Sequence, residues 1–380
     1  MSTSDVSSEV VELLSSLTGR HLTQDEMTPS VKFLAALAIT TMGVMFADGT
    51  VEPEERQLLS KMIAVLVPPE GNVRHMMQVL VSGLEENPFY QNPQVWLKLT
   101  TSLSELERVL LLSLAFEMAA IDAHIDPKEE SYLYLTANAL EIDPRIPEVL
   151  NAWLQNQSIP DAAVWEELLI KLQPQQFEHL GIRLVSLDAV EIVSCLVGRR
   201  LSRVDITPSA VFLLALVMMT LGVMFADGEV QPEEQRLLFK TVNRLIPNRD
   251  DELRQWLNNA IATLESNPEY RHPHSFVKLT TALSGSEKLL ALGFVYEMSA
   301  VDGIIDPKEK KYLQLTANFL EIDPRYEAVM AAGFGGEGIE DEKAFTELRS
   351  QLNPEQFWYL NAVFVDAAKY ILDSLEVCSS

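Results

Sequence analysis

A short motif recurs four times along the chain, and this repetition constrains the fold more than any other feature of the sequence. In each copy an apolar segment runs into an Asp, and a Pro and a Glu follow, with the Glu seven places after the Asp. The copies occupy Gly43–Leu59, Phe116–Leu133, Gly222–Leu238 and Tyr296–Leu313. Their acidic pairs are Asp48 and Glu55, Asp122 and Glu129, Asp227 and Glu234, and Asp302 and Glu309. Such a chain is built from repeated structural units.

The motif spacing predicts a helix, a tight turn and a second helix. In three copies a Gly follows the Asp, where a helix C-terminus favours a residue that tolerates positive φ: Gly49, Gly228 and Gly303. Each copy then has a Pro where a new helix can begin: Pro53, Pro127, Pro232 and Pro307. Two copies also predict capping boxes, Asp126 with Glu129 and Asp306 with Glu309. The Asp after the first helix faces the negative end of the helix dipole, which indicates a compensating partner.

The two halves of the chain are a tandem duplication. Thr28–Arg145 and Thr207–Arg325 match almost continuously, at an offset of 179 or 180 residues, and each half holds two motif copies. Apolar residues recur at intervals of three and four and rarely of two, which predicts an all-α fold. We expect two similar helical-bundle modules, residues 1–185 and 186–380. The stretch Pro174–Val197 is similar to both the end and the start of a module, which predicts one long helix shared by the two.

Helix limits can be placed from these signals. In the first module the expected helices are Asp5–Leu17, Pro29–Phe46, Pro53–Leu66, Asn72–Leu84, Glu105–Ile121 and Pro127–Leu140. The Pro-rich stretches 86–101 and 266–281 are expected to form structured turns around a packed Tyr. The uncharged run Ala210–Ala226 is 17 residues long, shorter than the roughly 20 residues that usually span a membrane. We therefore expect it to form the buried centre of a bundle.

The charge balance narrows the classes of partner. Lys and Arg number 29 against 55 Asp and Glu, giving a net charge of -26, and such a field repels phosphate backbones and anionic lipid. A nucleic-acid partner is thereby excluded, whereas metal cations or basic partners are favoured; solubility alone is the other explanation. Cys195 and Cys378 are not equivalent positions of the duplication and form no metal pattern, which is typical of a reducing cytosol. No signal peptide is evident at the N-terminus.

Carboxylates are the candidate functional groups, because no phosphate loop, nucleophile elbow or Cys-x-x-Cys motif is present and no small-molecule substrate is evident. If the two hairpins of a half pack about a local pseudo-twofold, their turns meet. Asp48, Glu55, Asp122 and Glu129 would then form one cluster, and Asp227, Glu234, Asp302 and Glu309 a second. Oxygen ligands suit calcium, magnesium or manganese. The alternative is structural: each Asp accepts N–H groups of its own turn and each Glu caps its helix.

Two further pairs of residues bear on a metal site. Glu117 and Glu297 lie inside apolar helices, where they are either buried partners of Lys or additional ligands. His272 and His274 lack counterparts in the first half, which disfavours a zinc site there.

The signature FADG-x-V-x-PEE followed by two leucines resembles the TerB-like tellurite-resistance family, across roughly Thr28–Leu140 and Thr207–Leu320. The resemblance implies small all-helical domains that lie in the cytosol or at the inner face of the bacterial membrane. It also implies a link to tellurite and other stress responses, metal binding by acidic residues, and membrane partners such as TerC. The matching acidic positions are Asp48, Glu54, Glu55, Asp122, Asp126, Glu129, Asp227, Glu233, Glu234, Asp302, Asp306 and Glu309. Ala123 stands where the family pattern has Gly.

Two functions are expected from these features. The first is a non-enzymatic, cytoplasmic scaffold or sensor that binds a hard divalent cation in each half and presents helical surfaces to a protein partner. The second is a protein–protein interaction module, also able to act at the inner membrane surface beside a membrane protein, whose acidic motifs serve only the fold.

Overall fold

In the computed structural model the chain forms two compact units, residues 1–187 with 202–205, and residues 188–201 with 206–380. The structure describes residues 8–47, 49, 53–67, 72–86, 93–120, 125–182, 184–226, 232–246, 250–267, 273–300, 305–357, 360 and 362–377. These residues form helices, turns and irregular segments, and no strand occurs among them. The predicted all-α fold is confirmed. The expected module boundary, after residue 185, lies two residues before the division that follows Leu187.

In the described residues of the first unit there are nine α-helices. They are α1 (Ser8–Thr18), α2 (Pro29–Met45), α3 (Pro53–Leu66), α4 (Asn72–Glu86), α5 (Pro93–Thr100), α6 (Glu105–Ala119), α7 (Pro127–Ala139), α8 (Arg145–Leu154) and α9 (Ala162–Lys171). Short 3-10 helices cover Gln24–Glu26, Pro174–Leu180 and Arg203–Asp205. The core surrounds α2, which packs against α4, α5, α6 and α7 and is buried along almost its whole length.

The second unit repeats this order. Its helices are α10 (Leu187–Val197), α11 (Pro208–Met224), α12 (Pro232–Leu245), α13 (Asp251–Ser266), α14 (Pro273–Thr280), α15 (Gly285–Ser299), α16 (Pro307–Phe319), α17 (Pro324–Phe334), α18 (Glu342–Gln351) and α19 (Ala362–Val377). The core surrounds α11, and every residue from Ala210 to Met224 is buried. The expectation that this apolar run forms the centre of a bundle is confirmed. None of the helices in the described parts of the chain is both long and apolar enough to cross a membrane.

The predicted helix starts are confirmed at all four motif copies, because α3, α7, α12 and α16 each begin at the motif Pro. The central helices begin one residue after a Thr cap. Thr28 Oγ1 accepts a hydrogen bond from Val31 N at 3.3 Å, and Thr207 Oγ1 accepts one from Ala210 N at 3.2 Å. Gly49 has φ +95°, as expected for a residue that follows a helix end.

The long helix predicted over Pro174–Val197 is wrong. A 3-10 helix ends at Leu180, Gly181 has φ +58° in the left-handed region, and α10 begins only at Leu187. The Leu180 carbonyl, at the end of the 3-10 helix, accepts a hydrogen bond from the Ser30 hydroxyl. The break could not be predicted from the apolar periodicity, because buried apolar residues continue on both sides of it, Phe177 and Leu180 before it and Leu187 after it.

Other limits differ by smaller amounts. The Pro-rich stretches were expected to be turns throughout, but their second halves form α5 and α14, each beginning at a Pro. This correction follows from Pro being favoured in the first turn of a helix. The Tyr residues at the centre of these stretches lie outside the described residues, so their predicted packing stays a prediction. The helix expected to end at Ile121 ends at Ala119, and the one expected to end at Leu84 extends to Glu86.

One difference between the two cores is a buried pair of side chains that is polar in the first unit and apolar in the second. In the first unit Trp96 Nε1 donates a hydrogen bond to Thr40 Oγ1 at 2.7 Å, and Thr40 in turn donates to the Ala36 carbonyl at 2.8 Å. The equivalent residues of the second unit are Phe276 and Met219, both fully buried. A hydrogen-bonded pair in one unit is therefore an apolar pair in the other.

The approach of the first helix to its neighbour also differs. A Cβ added to Gly83 of α4 would lie 2.0 Å from the Leu17 carbonyl oxygen of α1, so only Gly permits this close approach. The equivalent residue of the second unit is Thr263, and its hydroxyl donates to the Leu196 carbonyl of α10 at 3.3 Å. The backbones of these two helices are thus held by a hydroxyl where the first unit uses direct contact.

Candidate functional site

The two motif hairpins of each unit pack reciprocally. In the first unit α2 contacts α6 and α7, and α3 also contacts α6; in the second unit α11 contacts α15 and α16, and α12 also contacts α15. The closest approach described is at Gly43 of α2, where an added Cβ would lie 1.9 Å from the Tyr132 hydroxyl of α7. The packing has the form expected for a local pseudo-twofold, which was the condition for the acidic turns to meet.

Most of the predicted ligands lie where the structure does not describe them. Asp48, Asp122, Asp227 and Asp302 fall outside the described residues, and the side chains of Glu55 and Glu234 do so as well. The helix ends that precede the aspartates are described, and their C-caps are Phe46, Ala120, Phe225 and Ala300. Each Asp therefore comes two residues after the C-cap of an apolar helix, the position that the dipole disfavours. The two predicted clusters stay predictions.

Glu129 and Glu309 are described, and both are helix-capping residues. Glu129 Oε2 accepts a hydrogen bond from Asp126 N at 3.1 Å, and Glu309 Oε2 accepts one from Asp306 N at 2.9 Å. In return each Asp side chain accepts a bond from the backbone N–H two residues later, at 2.7 Å in both units. The capping boxes predicted at α7 and α16 are confirmed. One oxygen of each Glu is therefore engaged by the backbone N–H that precedes its helix.

The described residues by themselves do not form a metal site. Within this part of the chain there is no group of three or more His, Cys, Asp or Glu side chains that could hold a metal ion. Any cation site built on the motifs must draw its remaining ligands from the aspartates after the C-caps and from Glu55 and Glu234, whose side chains lie outside the described part of the chain. His274 is likewise outside the part of the chain whose side chains are described, and His272 lies outside the described residues.

Glu117 is part of a buried ion pair in the first unit. Its side chain on α6 is fully buried, and the Arg203 side chain is 1% exposed. Arg203 Nε donates to Glu117 Oε1 at 2.7 Å, and Arg203 N donates to Oε2 at 2.8 Å. Arg203 Nη2 lies 2.6 Å from Oε1 and also donates to Ser113 Oγ at 2.5 Å. Both carboxylate oxygens of Glu117 are thus occupied by one residue, which favours a buried partner over a metal ligand, although the partner is Arg rather than Lys.

Sequence reasoning missed Arg203, yet a signal was present. The equivalent residue of the first half is Gln24, so the duplication places a neutral side chain and a cation at matching positions. Arg203 lies in a 3-10 helix whose last residue, Asp205, pairs with Lys61 of α3 at 2.9 Å. This Lys–Asp pair lies beside the buried one, and Asp205 also accepts a bond from Ser202 N at 2.9 Å. Because the positive charge of Arg203 has no counterpart at Gln24, the sequence indicated that an acidic partner would be present in one of the two units alone.

Glu297, the equivalent of Glu117, has different surroundings. Burial raises the pKa of this carboxyl above its usual range, while a hydrogen bond from Tyr370 of α19 and the positive charges of Arg244 and Lys240 act in the opposite direction. The Arg244 guanidinium carbon lies 5.0 Å from the centre of the Tyr370 ring. Desolvation dominates, so this carboxyl keeps its proton to higher pH than an exposed Glu.

The model of the family described as "Tellurite resistance protein TerB" matches residues 34–148 and 213–330, together more than half of the chain. Each matched region lies within one unit and contains two of the four motif copies. The comparison with curated proteins and the comparison with solved structures each gave no match.

Proposed function

The chain belongs to the TerB family, with one TerB domain in each half, and from this premise we propose that it is a non-enzymatic helical scaffold that acts by binding a protein partner. One observation carries the proposal. The motif glutamates whose side chains are described, Glu129 and Glu309, each accept a backbone N–H of their own capping box. At these two positions the acidic motif fixes the residue at which α7 and α16 begin. The outer faces of these helices are then available to a protein partner.

The buried carboxylates of the central helices support the same proposal. Glu117 is neutralised by Arg203, and Glu297 is held by Tyr370 in surroundings that favour the proton. Neither carboxylate is presented to a substrate. Glu117, Glu297, Glu129 and Glu309 thus serve internal contacts, and the outer helix faces are the surfaces left for a partner.

The test is co-purification of the tagged full chain, with cross-linking to map the contact. We expect a protein partner to be retained in equal amounts with and without a chelator, and its cross-links to fall on outer helix faces. The Asp126→Ala/Asp306→Ala variant should bind the partner normally below its lowered unfolding temperature. Retention that disappears when a chelator is added would contradict a scaffold that needs no ion.

A second candidate function is divalent-cation binding at the turn motifs, and a specific observation favours it. The capping boxes account for Glu129 and Glu309. They do not account for an Asp two residues beyond the C-cap of α2, α6, α11 and α15. Carboxylate oxygens would suit calcium, magnesium or manganese. The ligands would be Asp48, Glu55, Asp122 and Glu129 in the first unit, and Asp227, Glu234, Asp302 and Glu309 in the second.

Thermal unfolding of chelator-treated protein with each added ion tests this candidate. An ion that binds only the folded state raises the unfolding midpoint by mass action. Asp227→Asn/Asp302→Asn should abolish the rise that comes from the second unit. The matched control is Asp250→Asn/Asp341→Asn, which removes two charges at the N-caps of α13 and α18, outside the motifs. A midpoint that no ion raises would exclude the cation site and leave the scaffold proposal standing.

A further inference from the structure

The outer face of α16 is basic, although the chain as a whole has more acidic than basic residues. Its exposed residues include three lysines and two large apolar side chains, and they are Lys308, Lys310, Lys311, Leu315 and Phe319. Leu315 is 42% exposed and Phe319 is 43% exposed. The one acidic residue of the helix, Glu309, is buried and engaged in the capping box. The face is therefore basic and apolar, without a carboxylate of its own helix.

Four of these side chains, all except Lys310, form a continuous stripe. Lys311, Leu315 and Phe319 follow one another at intervals of four residues, so they lie on one face of the helix and cover about 12 Å of its length. Lys308 lies one turn before Lys311 on the same side. Lysine stems pack beside apolar groups while their ammonium groups stay in water. A helix laid along this stripe would meet apolar surface flanked by positive charge.

The first unit shows that the fold does not require the stripe. The buried positions of α7 and α16 carry the same residues: Leu133 and Leu313, Thr136 and Thr316, Ala137 and Ala317, and Leu140 and Leu320. On the outer face, Lys311 and Phe319 of α16 are matched by Ser131 and Ala139 of α7. Leu135, the counterpart of Leu315, is 66% exposed. The two helices therefore differ where they face solvent.

We propose that the outer face of α16 docks an acidic amphipathic helix of a partner protein. Such a helix would place apolar side chains at intervals of three and four residues on Leu315 and Phe319, and its flanking Asp or Glu residues beside Lys308 and Lys311. The net charge of -26 does not prevent this contact, because at physiological salt the field of distant charges is screened beyond about 8 Å. The inference rests on the proposed scaffold function and names the chemistry of its partner.

A bilayer fits the same face less well. An interfacial helix buries its whole apolar side in the lipid, whereas the apolar side of α16 packs on α11, α14 and α15. Two partly exposed apolar side chains offer little area for insertion. A second copy that met this face through its own α16 would place lysines against lysines, which opposes close approach.

Fluorescence anisotropy with a labelled synthetic peptide tests the proposal. The probe is a helical peptide with leucines at intervals of three and four residues and glutamates flanking them, and a second peptide with lysines in place of the glutamates is its control. We expect the full chain to bind the acidic peptide and not the basic one. Lys311→Ser/Phe319→Ala, which gives α16 the outer residues of α7, should weaken binding at least about tenfold. Because both residues are exposed, circular dichroism of this variant should match that of the wild type.

The reciprocal exchange gives a second measurement. Ser131→Lys/Ala139→Phe should create a second binding site on α7 and raise the peptide stoichiometry towards two. Equal binding of the acidic peptide to the wild type and to Lys311→Ser/Phe319→Ala would overturn the proposal. Failure of the wild type to bind the acidic peptide would also overturn it. In that case capture by phosphatidylcholine–phosphatidylserine vesicles would indicate a lipid surface as the occupant of the face, and self-association in sedimentation velocity would indicate a second copy. If a natural partner still co-purifies with Lys311→Ser/Phe319→Ala, the scaffold function stands and only the assignment to α16 fails.

Discussion

Replacing Glu117 with Gln should destabilise the first unit severely, because it breaks an ion pair that has no access to water. The Glu117 side chain is fully buried and the Arg203 side chain is 1% exposed. Arg203 donates to both carboxylate oxygens, from its backbone N and its Nε. Gln keeps one acceptor oxygen and puts an NH2 group opposite the other donor, so the guanidinium stays buried with its charge uncompensated. Removing one partner of such a pair costs about 3–5 kcal/mol.

The duplication supplies the control at the equivalent position. Burial raises the pKa of Glu297, so the folded state binds this proton more tightly than the unfolded state does. The stability that this preference gives is present at pH values below the unfolded pKa and is lost as the pH rises through the raised folded pKa. Near pH 7 a Gln side chain avoids the cost of burying the charged carboxylate, and it still accepts a hydrogen bond from Tyr370. Glu297→Gln should therefore leave stability within about 1 kcal/mol of the wild type or increase it.

Hydrogen exchange measured by mass spectrometry over a urea series can follow the two units separately. In Glu117→Gln the opening free energy of α6 should fall by about 3 kcal/mol or more while that of α15 stays unchanged. A second variant, Glu117→Gln/Arg203→Gln, makes the pair neutral and gives residue 203 the side chain found at Gln24, so part of the loss should be recovered. A loss at α6 below about 1 kcal/mol would refute the view that this pair is dry and essential to the first unit.

Four further outcomes follow from the packing and the caps. Trp96→Phe and Thr40→Met should each lower the free energy of unfolding, measured by urea titration, by about 1–3 kcal/mol. The double variant should recover most of this loss because it reproduces the apolar pair of the second unit; strictly additive losses would contradict this. Burial raises the pKa of Tyr132 to about 12, so the contribution of the protonated phenol to the free energy of unfolding is complete below pH 10 and should fall by up to about 3 kcal/mol as the pH rises through 12. In urea titrations over a pH series, Tyr132→Phe should not show this part of the alkaline loss of stability. Asp306→Ala should lower stability by about 1 kcal/mol in thermal unfolding, and Asp306→Asn by much less, because Asn also caps helices. Gly83→Ala should lower the unfolding midpoint by the equivalent of about 1–3 kcal/mol, since the new methyl group meets a backbone oxygen that cannot move aside alone; an unchanged midpoint would show that α1 and α4 separate freely.

Local rules were enough to predict the helices but not their partners. A Pro at the first position and an Asp-x-x-Glu box are properties of neighbouring residues, and for this reason the starts of α7 and α16 and their caps could be placed from the sequence. The break at Gly181 was missed because apolar periodicity continues across it, and a single Gly inside such a pattern is compatible with a helix. The break coincides with a tertiary contact that no local pattern records, the hydrogen bond from Ser30, which lies 150 residues earlier in the chain, to the Leu180 carbonyl.

The candidate site shows the same division. The role of Glu129 and Glu309 in capping could be predicted, since the acceptor and donor are three residues apart. The partner of Glu117 could not, because Arg203 lies 86 residues away and its charge has no counterpart in the first half. Whether the four aspartates that follow the C-caps meet around an ion depends on the conformation of the turns, and no pattern of sequence neighbours fixes that conformation.

The Trp96–Thr40 pair also bears on how a chain with two nearly identical halves avoids assembling the wrong combination during synthesis. Tandem repeats can exchange equivalent helices, and the resulting misassembled species is long-lived because most of its contacts are native-like. If α5 packed on α11 in place of α2, the Trp96 indole N–H would meet Met219 instead of a hydroxyl, and a buried unpaired donor costs about 1–3 kcal/mol. This hydrogen bond, which has no counterpart at Phe276 and Met219, therefore favours the packing of each set of helices on its own core.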